Sequence, residues 1–422
     1  MTDEADIAII GAGAAGLTAA IFAAESAAPD HRVVLLDGAK RVGAKILVAG
    51  GGRCNVTHHQ VKADDFNGPR NVVRNVLRSF TVAQTIAWFE SMGVSLKREE
   101  TGKLFPVSDD AHTVLNALLG RARAVGATLL TEHRVQDIKH DADGFLITHS
   151  GGELRARKLI MATGGRSLPK TGSDGGGWSI IKHLGHTVTP TYPALVPLVL
   201  DDSFFHAQVS GIAQEVELKT FAAGKLIDRR HGSLLWTHFG ISGPVVMDAS
   251  RFWVIANETT SDAQLRAAVL PEPFEVVEKW LITQAAAAPK RPLSALLAER
   301  LPRRVAEVLT AHVAHQDSAT ATEANPAIGR MTRDHRRAVV HALTDLTLPV
   351  LRDRGWNYAE VTAGGVPMTE VNHRTMASRQ VAGLHLVGEM LDVEGRIGGF
   401  NFQWAWATGH AAGRAAGEAV RS

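Results

Sequence analysis

Thiol chemistry is almost absent from this chain. Cys54 is the single cysteine among 422 residues, so no intramolecular disulfide forms and paired-thiol redox chemistry is excluded. That usage predicts a reducing, cytoplasmic setting. An excess of one charge is also missing: 45 Lys and Arg against 43 Asp and Glu leave a formal net charge of +2, too little for a global field that holds nucleic acid or an anionic membrane. The expected partner is a small-molecule substrate, with no membrane, and nothing in the sequence fixes an oligomeric state. No histidines stand at metal-ligand spacing such as HExxH, so no metal is expected, and there is no internal repeat. The one long uncharged run, Ile7 to Ala24, follows Asp3, Glu4 and Asp6 and is interrupted by Gly11, Gly13 and Gly16. Acid before the run and glycine within it argue against a signal peptide or a spanning helix.

What is present has the balance of a folded protein, 45% hydrophobic and 21% charged, at a length suited to two or three packed units. Asp6 to Ile10 reads as a strand, Gly11 to Gly16 as a turn, Leu17 to Ala24 as a helix and His31 to Asp37 as a second strand, which together make a βαβ unit. Gly43 to Thr57 reads as a long ordered loop. Helices are expected over Val72 to Met92 and Ala111 to Val125, and strands over Arg134 to Ile138, Gly144 to His149 and Leu159 to Thr163. Proline-punctuated short strands follow from Pro190 to about Ser250. Helices over Ala263 to Val313 should break near Pro271, Pro292 and Pro302, before an exposed loop at Ala319 to Ala327. From Val361 the earlier style returns, with a strand at Leu384 to Gly388 and a helix at Gln403 to Val420. The expected division is 1–189 and 346–422 as one domain, with a β domain at 190–255 and a helical insertion at 256–345 between them.

Gly11, Gly13 and Gly16 form GxGxxG after a strand and at the start of a helix, the context in which the motif carries chemistry. Gly11 serves the tight turn, Gly13 lets a pyrophosphate approach the backbone, and Gly16 lets the helix pack on the strand. The first-turn amides, including those of Ala14 and Ala15, then face the phosphates. Asp37, with Gly38 after it, ends the second strand about 20 residues on, where an acid accepts hydrogen bonds from an adenosine ribose.

A nicotinamide dehydrogenase completes its cofactor site within one contiguous domain, which leaves later glycine signatures unexplained. Here GAKILVAGGGRCNVTH at Gly43 to His58, ATGG at Ala162 to Gly165 and VGEMLDVEGRIGGFNFQWA at Val387 to Ala405 all recur far downstream. A longer cofactor such as FAD, threading back through the domain, accounts for them. With TGKLFP at Thr101 to Pro106, THFGISGP at Thr237 to Pro244 and TAGGV at Thr362 to Val366, these motifs resemble the BaiN-like or YhiN-like flavoproteins, labelled NAD(P)/FAD-dependent or aminoacetone-oxidase-family enzymes. The resemblance spans most of the chain. It implies an α/β, glutathione-reductase-type Rossmann fold that binds FAD and carries an inserted β-barrel-like domain and a helical segment.

Position by position, the resemblance puts FAD pyrophosphate on Gly11 to Gly16 and ribose on Asp37. Lys45, Gly51, Gly52, Arg53 and Cys54 wrap the flavin side, Val135 offers backbone to the adenine, and Ala162, Thr163 and Gly164 line the path. Glu389, beside Gly388, falls on the ribityl chain, and Gly399, Phe400 and Asn401 lie beside the flavin ring. Ala44, Ala49 and His58 depart from the arginine, serine and asparagine common in relatives. A helix starting near Gln403 would aim its positive end at the charge of reduced flavin near N1 and O2, the alternative being an ordinary helix start capped by Asn401.

Other residues carry two readings each. Cys54 is a redox thiol or a small buried packing residue, and Arg53 contacts a charge or holds its loop by a salt bridge. His238 moves a proton or is structural. Trp404 packs the flavin domain while Trp406 stays open, and Arg330, Arg333, Arg336 and Arg337 are a solvated helix face or an RNA contact. The leading function is an FAD-dependent oxidoreductase acting on an unidentified small molecule; with no second GxGxxG, NAD(P)H as donor would have to stack transiently at the flavin or be absent, and an oxidase returning electrons to oxygen fits equally well. A flavin-dependent RNA-modifying protein and a non-catalytic flavin electron carrier are the rivals. No catalytic residue is assigned.

Overall fold

The structure, a computed structural model, describes residues 3–316 and 323–421. The chain forms two compact units, one built from the chain up to Tyr192 and again from Glu360, the other from Pro193–Ala359. The return to the first unit therefore comes at 360 and not at 346. Leu346–Leu348 and Val350–Asp353 are strands of the second unit's sheet, so their backbone bonds tie that stretch to the middle of the chain.

The first unit is organised around β1 (Asp3–Ile10), which leads through a turn into α1 (Ala14–Ser26) and on to β2 (Val33–Leu36). β1 pairs in parallel with β2 on one side and with Gly152–Met161 on the other. Thr128–Leu130 extends the parallel sheet beyond β2, and Leu384–Leu386 extends it beyond Gly152–Met161. Ile7, Ala8, Ile9 and Ile10 are all buried, the continuous apolar run of a parallel strand covered on both faces. α1 shows no apolar stripe because it too is covered nearly all round: the sheet lies on one side and the C-terminal helix Phe400–Arg421 on the other. Three glycines permit that helix contact. A Cβ on Gly409, Gly413 or Gly417 would lie 2.6, 2.4 or 2.6 Å from the carbonyl oxygens of Ala15, Ala19 and Ala23, one turn apart along α1.

Several local expectations shift. The stretch read as a loop at 43–57 contains α2 (Ala44–Gly52), whose helical geometry is broken at Ala49, Gly50 and Gly51. The helix read over 72–92 is two, Arg70–Ser79 and Val82–Ser91, separated at Phe80 and restarted by a Thr81 to Gln84 capping box. The last helix begins at Phe400, three residues before Gln403.

In the second unit seven strands form an antiparallel sheet, dominated by the hairpin Ala213–Ala222 and Lys225–Thr237. Its two edge strands, Leu346–Leu348 and Val350–Asp353, are separated only by Pro349, so the sheet must curl until its edges are neighbours. This gives the barrel-like form expected. Two elements differ from expectation: Pro244–Thr260 is a helix packed on the hairpin, and Ala263–Ala268 is a strand. Later helices begin directly after Pro273, Pro292 and Pro302. Of the loop expected at 319–327, residues 319–322 lie outside the described residues. Among the described residues no helix is long and apolar enough to cross a membrane.

Candidate functional site

The site starts at the turn between β1 and α1. Gly11 has φ +101°, and a Cβ there would sit 2.6 Å from the Ala162 carbonyl oxygen, while one on Gly16 would meet the Gly11 oxygen at 1.8 Å. Only glycine fits either place. At Gly13 the opposite holds: nothing lies within 4 Å of where its Cβ would be. Gly13 is also the N-cap of α1, with no side-chain cap and no acid in the first turn. The amides of Ala14, Ala15 and Gly16 therefore keep their helix-end hydrogen-bonding capacity and their positive field, beside open space. Asp37 Oδ2 accepts from the Ala12 amide at 2.7 Å and Oδ1 from the Ala39 amide at 2.8 Å, which fixes the carboxylate and leaves lone pairs for further donors.

Three chain segments close on this turn. Ala162 donates its amide to the Ile10 carbonyl at 2.8 Å, Thr163 Oγ1 donates to Met390 Sδ at 3.2 Å, and Gly164 has φ +75° beside Ser173. Ser173 Oγ is buried with no hydrogen-bond partner. Gly388 backs the start of α1, where a Cβ would lie 2.9 Å from that of Ala15. Val135 opens the strand Val135–Asp141, and the neighbouring Arg134 lies over Gly38 and pairs with Asp174 at 2.7 Å. Burial works against the Asp174 carboxylate, but the Gly176 amide and Arg134 outweigh it and hold it below the usual range. No motif marks Arg134 or Asp174, so sequence reasoning passed them over.

Lys45 and Glu389, expected on one cofactor from opposite ends of the chain, meet directly: Lys45 Nζ lies 2.6 Å from Glu389 Oε2. Ser167 completes the group. Its hydroxyl is 2.6 Å from Lys45 Nζ and 2.7 Å from Glu389 Oε1, and that same oxygen accepts the Thr362 amide at 2.9 Å. Ser167 and Thr362 had no signal of their own, although Thr362 belongs to the TAGGV motif.

The glycine loop that follows α2's helical turns resolves two alternatives. Gly51 and Gly52 adopt positive φ, as does Cys54 at +60°. Cys54 is fully buried, and desolvation pushes its thiol up to about 12, so it is a packing residue. Arg53 pairs with Glu99 at 2.6 Å and stacks 4.0 Å over the Phe105 ring, a contact that holds its loop.

Gly399, with φ +91°, precedes Phe400 at the start of the C-terminal helix. Asn401 is not the cap: its side chain takes the Gly395 amide and donates to the Gly395 carbonyl, both at 2.8 Å, and so clamps the preceding strand. His58 stacks on Phe400 with centroids 4.9 Å apart. Both tryptophans are interior, Trp404 donating to the Gly388 carbonyl and Trp406 to that of Val56. The helix buries nearly all of its circumference here, so Trp404 and Trp406 are both interior although residues two apart cannot share one helical face.

In the second unit His238 is exposed at the hairpin end Thr237–Gly240, edge-on to Phe239. Of the four arginines, Arg330 pairs with Glu323, Arg336 with Glu278, and Arg337 lies over the Phe274 ring. Among the described residues no group of three or more His, Cys, Asp or Glu could hold a metal ion.

The residues present fit a dinucleotide: an uncapped helix start, an open Gly13 and a fixed carboxylate at the end of β2 meet at one turn, and an orphaned Ser173 hydroxyl lies beside Gly164 of the neighbouring segment. Residues 5–415 match the family described as HI0933-like protein Rossmann domain. The chain is 34% identical over 98% of its length, and 99% of the relative's, to 3-dehydro-bile acid delta(4,6)-reductase from Clostridium scindens. It is 32% identical to ribosomal RNA dihydrouridine synthase from Escherichia coli, covering 96% of each chain. Among solved structures it is similar in fold to a mutant FrdA chain of E. coli quinol fumarate reductase, with TM-score 0.53, 17% identity, and coverage of 100% of this chain and 71% of that one. By its Rossmann-type fold and nearly full-length match, this chain belongs to the HI0933-like family, the BaiN-like or YhiN-like proteins that its motifs resembled.

Proposed function

We propose that the protein is an FAD-dependent oxidoreductase that reduces a carbon–carbon double bond conjugated to a carbonyl. The observation that carries the cofactor is the convergence of Gly11–Gly16, Ala162–Gly164 and Gly388–Glu389 on one path, because a shorter nucleotide would leave the C-terminal segment without a role. The bond type comes from the relatives. A 3-dehydro-bile acid delta(4,6)-reductase and a dihydrouridine synthase bear names of very different substrates, yet each name describes hydrogenation of a double bond activated by a neighbouring carbonyl. Bound here, FAD would supply the hydride store for that step.

The chain's residues then have separate tasks. Gly13 and the amides of Ala14 to Gly16 hold the pyrophosphate, Asp37 takes the adenosine ribose, and Arg134 with Val135 borders the adenine. The Lys45, Glu389 and Ser167 group meets the ribityl hydroxyls, where a carboxylate and an ammonium fixed against each other present acceptor and donor together. The start of the C-terminal helix, at Gly399 and Phe400, faces the ring with its positive end and stabilises negative charge on reduction. NAD(P)H is the donor in this proposal, and with no second GxGxxG to bind it, it would stack transiently at the flavin.

The names of two relatives favour a second substrate, uridine in RNA. Against it, the arginines that looked like an RNA face are largely engaged by acids or aromatic rings. The deciding experiment is an anaerobic absorption titration of the FAD-loaded protein with NADH, then NADPH, followed by a steroid 3-oxo-4-ene or a ribosomal RNA transcript. Bleaching by a nicotinamide and reoxidation by the enone is the expected result. Reoxidation by RNA alone selects the second reading, and failure to bind FAD ends both.

A further inference from the structure

We propose that Asn55 is the hydrogen-bond acceptor that reads the N3–H of the isoalloxazine ring, so that the protein selects the flavin by its pyrimidine edge. This assignment rests on the FAD reading above. Asn55 is 8% exposed, and its Oδ1 has no partner. A buried amide oxygen left unsatisfied is costly, so a native donor is expected to meet it. Its place indicates which donor. A Cβ on Gly399 would lie 2.8 Å from Asn55 Oδ1, which puts the oxygen beside the start of the C-terminal helix.

That placement is fixed from both sides. Gln403 Oε1 accepts from the Thr57 hydroxyl at 2.7 Å, while its Nε2 donates to the Phe80 carbonyl at 2.9 Å and to Thr85 Oγ1 at 3.0 Å. The strand after Asn55 is thereby pinned to the helix's first turn. The result is an orphaned acceptor next to the first-turn amides of the C-terminal helix. The isoalloxazine pyrimidine edge has the complementary order, with carbonyl and N1 acceptors beside an N3–H donor. Helix amides answer the acceptors, and Asn55 answers the donor. Glycine at 399 lets the helix start lie directly against this segment, since any Cβ would strike Asn55 Oδ1 and the Thr57 backbone.

The test is to reconstitute the apoprotein with FAD and with N3-methyl-FAD, measuring both dissociation constants by quenching of flavin fluorescence, for wild type and Asn55→Ala. Wild type is expected to bind FAD at least about tenfold more tightly than the methylated analogue, since the methyl group removes the donor and blocks the acceptor. In Asn55→Ala, FAD binding should weaken about three- to tenfold and the preference should fall to near one. A purely structural role would weaken both flavins equally and leave the preference intact, which would overturn the assignment. Equal binding of both by wild type would overturn it without any variant, so a poorly folding Asn55→Ala protein does not shield it. If neither flavin binds, the cofactor reading itself falls and this assignment with it; FAD binding with an unaltered preference removes this assignment alone.

Discussion

Burial pushes the Cys54 thiol up to about 12, so at pH 8 only roughly one molecule in ten thousand carries a thiolate there. The folded protein should be unreactive toward an aromatic disulfide reagent at that pH over an hour, and should release one equivalent of thiolate on addition of denaturant. Fast reaction in the native state would contradict the burial. Lys45 and Glu389 give the converse case, charged groups that depend on one another. Lys45→Met leaves the Glu389 carboxylate with only Ser167 and the Thr362 amide, and should cost about 1.5–3 kcal/mol in unfolding free energy. Chemical denaturation of the apoprotein measures this. The double variant Lys45→Met with Glu389→Gln should recover part of the loss, because the uncompensated charge is then gone.

The contact between α1 and the C-terminal helix depends on glycines at every fourth position rather than on interlocking side chains. Gly413→Val would force the two backbones apart against the Ala19 carbonyl, and overpacking of this kind costs about 1–3 kcal/mol or more. The expected outcome is a lower melting temperature together with loss of FAD retention on gel filtration, since both helix starts border the proposed cofactor path. Retention of the cofactor by a stable Gly413→Val protein would show that the helix spacing does not set the site. How much was legible follows the same division between local and distant causes. The βαβ turn was readable because Gly11, Gly13, Gly16 and Asp37 lie within 27 residues and each has a local backbone task. α2 was missed because its glycines at 50, 51 and 52 mask four preceding helix formers. Arg134, Ser167 and Asn55 were silent because their roles arise only when segments far apart in the chain, from 40 residues for Arg134 and Asp174 to 222 for Ser167 and Glu389, are brought together, and no spacing rule records that. The strand at Ala263–Ala268 was hidden by its alanines, which favour helix until the hairpin edge at Ala213–Ala222 offers hydrogen bonds.

Two histidines make the whole molecule sensitive to acid. Burial lowers His385, within the central sheet, to about 4, and lowers His410, on the C-terminal helix, to about 4 as well. Unfolded histidine titrates near 6.5. Above that pH both states hold the neutral rings and stability is complete. Between about 6.5 and 4 only the unfolded chain takes up the protons, so stability falls as pH falls, by up to about 3 kcal/mol for His385 and less for the more exposed His410. Melting of the apoprotein at pH 7.5, 6 and 5 should show this decline, and His385→Leu should flatten its slope whatever it does to the absolute stability. A slope unchanged by that substitution would place the acid sensitivity elsewhere.

The proposed cofactor path draws on Gly11 and on Glu389 to Phe400, about 380 residues later in the sequence. A ribosome delivers these in order, and at roughly 5–20 residues per second the second half of the site follows the first by about 20–80 s. Late in that interval the sheet partners of β1 and the contiguous unit Pro193–Ala359 are available, while the outer face of α1 still waits for its glycine-bearing partner. On that proposal, loading with cofactor waits until the C-terminal helix is made, and until then α1 offers an apolar surface to whatever chaperone is near.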